Sequence, residues 1–228
     1  MNTRFCNALT LAAAAALLLA GCQTTGSSQW PETTDDGLER VETKRVDVAY
    51  WKEGATLADY DQVNIAPVSV EFRKNWQRDQ NSSRRSVSER ITQEDMDRMR
   101  AWLAEEFRAI FTDELGKGGY AVTGESGPDV LSLRPAIVNL DVAAPDLSMR
   151  QAGRTTTYTT RAGEMTLVME LYDSHTNSLI GRVVDRRQDM DTGFPMMTTS
   201  VSNRATADRW LRAWAKALRE ALDEAKAR

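Results

Sequence analysis

Met165-Thr166-Leu167-Val168-Met169-Glu170-Leu171-Tyr172, followed by Asp173-Ser174-His175-Thr176-Asn177-Ser178 and then Leu179-Ile180-Gly181-Arg182-Val183-Val184-Asp185-Arg186-Arg187, decides the fold. Met165, Leu167, Met169 and Leu171 recur at every second position, the period of a strand with one buried face. The six polar residues that follow form a turn, in which Asn177 tolerates left-handed backbone. Leu179–Arg187 returns, so the stretch is an antiparallel hairpin.

Upstream, Gln62–Phe72 alternates Val63, Ile65, Val68, Val70 and Phe72 and predicts a strand, with Pro67 marking an edge or a bulge. Arg73–Arg90 is polar. From Thr92 the period becomes helical: Met96, Met99, Leu103, Phe107, Ile110, Phe111 and Leu115 fall three and four apart. Thr92 suits the N-cap, Glu94 and Asp95 suit the first turn, and Gly116, Gly118 and Gly119 end the helix. Tyr120–Thr123 and Val130–Val142 are strand-like across a Gly127-Pro128-Asp129 turn, with Pro135 demoting part of the second to an edge or bulge. The Thr-rich 155–160 segment is β-prone, and strand and ordered loop both suit it. A last helix runs from about Ala205, its stripe being Ala207, Trp210, Leu211, Trp214, Leu218, Ala221, Leu222 and Ala225.

The order β-α-β-β-β-β-α predicts an α+β two-layer sandwich. A mixed or antiparallel sheet of about five strands carries two amphipathic helices on one face. The first β-α-β unit is a right-handed crossover.

The N-terminus gives an address. Arg4 precedes an apolar run, Ala8–Ala20, too short to span a bilayer and suited to a signal peptide. It ends in Leu19-Ala20-Gly21-Cys22, which resembles a bacterial lipobox. Small Ala20 and Gly21 fit the peptidase cleft, and the Cys22 thiol becomes a thioether to diacylglycerol. Residues 1–21 are thus expected to leave, 22–45 to form a flexible tether, and 46–228 to form one periplasmic domain. Two or three acyl chains, at about 0.8 kcal/mol per buried CH₂, hold a protein on a membrane. Gln23 stands where lipoproteins kept in the inner membrane typically carry Asp, so by that resemblance the outer membrane, on its periplasmic face, is the expected location.

Composition narrows the chemistry. The 228 residues carry 29 Lys+Arg and 33 Asp+Glu, a formal charge of −4, which argues against a nucleic-acid partner. Loss of residues 1–21 removes Arg4 and leaves 28 basic against 33 acidic residues. The single histidine, His175, excludes a multi-histidine metal site and falls in a hairpin turn. Cys6 leaves with the signal peptide and Cys22 carries lipid, so no disulfide is expected. Gly124-Glu125-Ser126-Gly127 is one residue short of a nucleophile elbow, and Gly116-Lys117-Gly118-Gly119 ends a helix where a phosphate loop must open one. Asp191-Thr192-Gly193 has no second copy, and Asp189-x-Asp191 lacks the glutamate of a calcium loop. Trp102, Trp210 and Trp214 lie at or beside apolar stripes and suit a core, whereas Trp30 and Trp51 suit the surface. No cofactor, metal or catalytic set is expected.

One cluster invites a contact. Arg73, Lys74, Arg78, Arg84, Arg85 and Arg90 stand against only Asp79 and Glu89, with Trp76 among them. Such a segment suits either a solvated loop or an anionic head-group surface.

Thr157-Tyr158-Thr159-Thr160-Arg161-Ala162-Gly163-Glu164, Leu171-Tyr172-Asp173, Leu179-Ile180-Gly181-Arg182-Val183-Val184-Asp185 and a last helix with Trp210 and Trp214-Ala215 together resemble DUF3313, a family of uncharacterised Gram-negative lipoproteins. Asp129-Val130-Leu131 also fits, while Thr176-Asn177 replaces the family's usual Thr-Gly and the Arg73–Arg90 stretch is longer and more polar. The resemblance implies a fold and an address, and no activity. The expected function is a non-enzymatic, membrane-anchored lipoprotein that binds or scaffolds another envelope component. A lipid- or glycan-binding envelope module is the alternative, and a cell-wall hydrolase ranks last.

Overall fold

The computed structural model describes residues 30–82, 84, 86–143, 157–159, 163–189, 196–198 and 200–228. Leu19, Ala20, Gly21, Cys22 and Arg85 lie outside the described residues.

The strands are β1 (Glu39–Val41), β2 (Val48–Trp51), β3 (Gln62–Ile65), β4 (Ser69–Phe72), β5 (Ala121–Thr123), β6 (Val130–Asp141), β7 (Thr157–Thr159), β8 (Glu164–Asp173), β9 (Ser178–Gln188) and β10 (Met196–Thr198). The helices are α1 (Trp76–Ser82), α2 (Gln93–Lys117) and α3 (Ser200–Lys226). Eight strands form one mixed sheet in the order β1-β2-β9-β8-β6-β3-β5, with β4 also on β6. β7 and β10 make a separate antiparallel pair, so strand wins for the centre of the Thr-rich segment. The α+β sandwich is as expected, with more strands than the five foreseen.

The predicted hairpin is β8–β9, paired from Glu164↔Gln188 to Asp173↔Ser178 with a bulge at Ile180. β3 and β5 run parallel with α2 between them in the chain, the expected crossover. Gln62–Phe72 divides into β3 and β4, both parallel to β6, with Pro67 in the break. Pro135 sits inside β6, a central strand. Its register places it opposite that break, because Leu133 pairs with Ile65 and Ala136 with Ser69. A proline's missing N–H is tolerated there because no neighbour strand is waiting for it.

The tether expectation is too long at its C-terminal end. Thr33 bridges to Glu39, Leu38 is buried, and β1 pairs with β2 within the stretch assigned to linker. α3 starts at Ser200, five residues before the apolar stripe signals it.

α2 and α3 pack together on one face of the sheet. Val63, Leu131, Leu133 and Ile137 from the strands meet Phe107, Phe111 and Leu115 from α2, all fully buried. Phe107 and Phe111, one helical turn apart, stack at 3.9 Å. Thr92 caps α2 as predicted, and Asp95 returns the bond to the Thr92 backbone N–H at 2.8 Å, completing a capping box.

A bulge in β6 changes which residues face the helices. Val138 pairs with Thr166 and Asp141 with Glu164, so Asn139 and Leu140 oppose a single residue. Asn139 takes a φ of 53°, a left-handed value that asparagine tolerates. Leu140 thereby joins the core, and Val142 packs against a second small cluster of Trp76, Ile91 and Met96. Arg73–Arg90 is therefore no plain loop: it holds α1, whose Trp76 is 1% exposed and stacks on Phe72 at 4.4 Å.

Candidate functional site

Among the described residues, a smaller and a larger cavity open on the helical face. The smaller, about 220 Å³, opens between the N-terminal halves of α2 and α3 and the adjoining ends of β6 and β8. Trp102 and Trp210 supply its aromatic walls, Met99 and Leu103 its apolar base, and Asn203 and Arg204 its polar rim. Arg204 lies 5.2 Å from the centre of the Trp102 ring, a cation–π contact.

Four carboxylates reach this cleft, and an arginine engages each of them. Asp95 is ion-paired with Arg98. Asp141 accepts from Arg73 Nε at 2.7 Å, and Glu164, its cross-strand partner, takes Arg186 in a bidentate pair at 2.7 Å on each oxygen. Asp189 lies 4.0 Å from Arg209.

The larger cavity, about 500 Å³, is a slot between the β2 side of the sheet and α3. Leu167, Met169, Leu171 and Val183 form its floor. Ala217, Ala221 and Ala225 form the α3 wall, and Ala49, Trp51 and Leu57 the opposite one. Alanines on both sides leave the gap between helix and strand unfilled. Trp51 lies over Gly181, where an added Cβ would meet the indole at 2.3 Å, and its Nε1 donates to the Ala55 carbonyl at 2.9 Å. Trp51 is half-buried and packs on the core, which corrects its expected surface position. Arg45, in the β1–β2 connection, ion-pairs with Glu224 and, at 3.5 Å, with Glu220, tying the two walls together.

Asp185 fastens α3 to the sheet at the head of this slot. It is 3% exposed and accepts from Trp214 Nε1 at 2.6 Å, from Arg187 Nε at 2.6 Å and from the Asp47 backbone N–H at 2.9 Å. Trp214 itself is buried, as the helical stripe predicted.

Among the described residues, the basic cluster singled out in the sequence does not form a continuous cationic face. Arg73 is consumed by Asp141 and, at 2.8 Å, by Asp79. Arg73 holds the Asp79 carboxyl below the usual carboxylate range. Arg84 donates to the carbonyls of Gln80 and Glu89. Arg78, 74% exposed at its side chain, and Lys74 face solvent, with Arg78 also on Asp79. His175 occupies the exposed hairpin tip, beside Asp173. Backbone and side-chain hydrogen bonds from Thr176 hold the Asp173 carboxyl low, and Tyr60 Oη donates to it at 3.1 Å. Asp189 reaches the smaller cleft, while Asp191 lies outside the described residues.

Neither the slot nor the Asp185 junction is signalled in the sequence. Alanines on an amphipathic helix read as helix formers, and the aspartate sits in an otherwise ordinary strand. Among the described residues no group of three or more His, Cys, Asp or Glu side chains is placed to hold a metal ion. Among the same residues no helix is long and apolar enough to cross a membrane.

Several solved structures are similar at a distance. A dodecamer of PelC from Paraburkholderia phytofirmans aligns at 10% identity and a TM-score of 0.38, over 75% of this chain and 96% of that one. A second crystal form, of a PelC variant, gives 11% identity and a TM-score of 0.35 over 72% and 94%. A protein described as a neuraminyllactose-binding hemagglutinin homologue from Helicobacter pylori aligns at 10% identity and 0.31, over 81% and 91%. No curated protein matches the sequence. One family profile covers residues 32–218, from the first bridge of the domain into the middle of α3: the chain belongs to DUF3313, a family of proteins of unknown function.

Proposed function

We propose that this chain is a bacterial lipoprotein, anchored through acylated Cys22 to the periplasmic face of the outer membrane, whose α+β domain binds another envelope component without catalysing a reaction. Support for the anchor is the order of Arg4, the Ala8–Ala20 run and Leu19-Ala20-Gly21-Cys22. Support for binding is the pair of clefts flanking α3, each walled by apolar or aromatic side chains. The observation that carries the binding reading is the smaller cleft, where the Trp102 and Trp210 rings stand beside Asp95, Asp141, Glu164 and Asp189, each ion-paired with an arginine. The apolar slot favours a lipid-binding form of the same reading.

The test is in-cell cross-linking of the full chain beside its Cys22→Ala variant, with mass spectrometry of the N-terminus and of the linked partners. An acylated Cys22 and an envelope component captured only by the wild type are expected. A mature chain with unmodified Cys22 overturns the anchor, and recovery of neither protein nor lipid overturns the binding role.

A further inference from the structure

We infer that the slot between α3 and the β2–β9 side of the sheet is a binding site for one long-chain fatty acid. The inference rests on the binding reading of the domain and adds to it the chemical class of the ligand. The walls carry the argument. Val183 below and Ala217, Ala221 and Ala225 beside it present hydrocarbon, over the buried Leu167, Met169 and Leu171. The two indole N–H groups that reach the slot are already spent, Trp51 on the Ala55 carbonyl and Trp214 on Asp185. Water inside would find few hydrogen-bond partners, and an alkyl chain needs none.

Size and shape narrow the occupant. At about 500 Å³ the slot falls within the roughly 300–1,000 Å³ of small-molecule sites, a size suited to a single acyl chain. A docked helix is about 10 Å across with its side chains. The Arg45 side chain, paired to Glu220 and Glu224, joins one wall of the slot to the other. These pairs are partly exposed and individually weak, so the strap opens readily. The mouth carries charged side chains, Arg228 and Glu42 beside the Arg45–Glu224 pair. This mixture places the head at the charged rim and the chain along the floor.

The experiment uses the full chain in the membranes of cells fed a palmitate analogue bearing a diazirine and an alkyne. After irradiation the protein is isolated and its cross-linked peptides are identified by mass. Irradiation-dependent adducts of the free acid's mass are expected on peptides spanning 164–171, 178–185 or 214–225. Val183→Trp and, independently, Ala221→Trp should lower them at least tenfold while leaving the far-ultraviolet circular dichroism unchanged. Two substitutions on opposite walls keep the test sound if one of them fails to fold. Adducts absent from these peptides, insensitive to both tryptophans, of phospholipid mass, or joined to the Cys22 peptide each overturn the proposal. If adducts are absent but a specific envelope protein still cross-links, the fatty-acid inference fails and the binding role survives. If both are absent, the binding role fails with it.

Discussion

Replacing Asp185 by alanine tests whether one buried carboxylate fixes α3 to the sheet. The substitution deletes three hydrogen bonds. Their losses are unequal. Trp214 is 2% exposed, so its indole N–H is left buried and unpaired, at about 1–3 kcal/mol. The Asp47 N–H lies at an exposed residue and water replaces much of its bond, leaving about 0.5–1 kcal/mol. The Arg187 side chain is 34% exposed, so rehydration makes its loss small. The expected cost is about 2–4 kcal/mol, a large part of a typical domain stability of about 5–15 kcal/mol. At about 2–4 °C per kcal/mol for a chain of this size, the midpoint should fall by roughly 5–15 °C. Urea unfolding of the full chain, followed by circular dichroism, measures it. Trp214→Phe alone removes a single donor and should cost about 1 kcal/mol beyond any packing loss. The double variant should be less destabilised than the sum of the singles, because removing both partners leaves no orphaned donor. A loss under about 0.5 kcal/mol for Asp185→Ala, or strict additivity in the double variant, refutes the reasoning.

Gly181→Ala places a Cβ 2.3 Å from the Trp51 ring and should cost about 1–3 kcal/mol, with Trp51→Leu in the same chain recovering part of it; chemical denaturation reads both. Thr92→Ala breaks the capping box of α2 and should cost about 1 kcal/mol in the same assay. Burial, and after it the Asp173 and Asp223 carboxylates, push Tyr60 and Tyr120 up to about 12. Burial and the Glu170 carboxylate also raise Tyr172, so spectrophotometric titration should show three phenols, Tyr60, Tyr120 and Tyr172, that ionise later than an ordinary tyrosine. Because the folded state holds these protons more tightly than the unfolded chain, stability is full below pH 10 and declines as the pH climbs towards 12. Phenols that all titrate near pH 10 in the folded protein contradict the hydrogen-bonded geometry.

Much of the fold was legible because two segments carry a clean period. Met165, Leu167, Met169 and Leu171 announce β8, and Met96 to Leu115 announce α2. β2 escaped because Val48-Ala49-Tyr50 is buried on both faces and shows no alternation. β1 is three residues long and carries charge, so nothing local marks it. α1 buries only Trp76, and a single inward residue gives no period, so its charges read as those of a loop. Of the charges around it, Arg73 is spent on Asp79 and Asp141 and Arg84 on backbone carbonyls, while Arg78 stays exposed. The clefts were invisible for another reason. They are made by what the side chains at 217, 221 and 225 lack, and by Trp102 and Trp210, which a helical stripe assigns to the core.

The bulge at Asn139 works as a one-residue frame shift in the sheet. Without it, Leu140 would exchange faces with its neighbours, and Val142 with it. The segment 73–91 hangs from this point. The Arg73 N–H donates to the Leu140 carbonyl at 3.0 Å, and Trp76 Nε1 and Gln80 Nε2 both donate to the Val142 carbonyl at 3.3 Å. Its own cluster of Trp76, Ile91 and Met96 is separate from the main core. An annex suspended from one irregularity is free to detach as a unit, and native-state hydrogen exchange should find the α1 amides opening together, well before those of β8 and β9. Deleting Asn139 would turn that occasional opening into the resting state, while the hairpin that decides the fold stays in register.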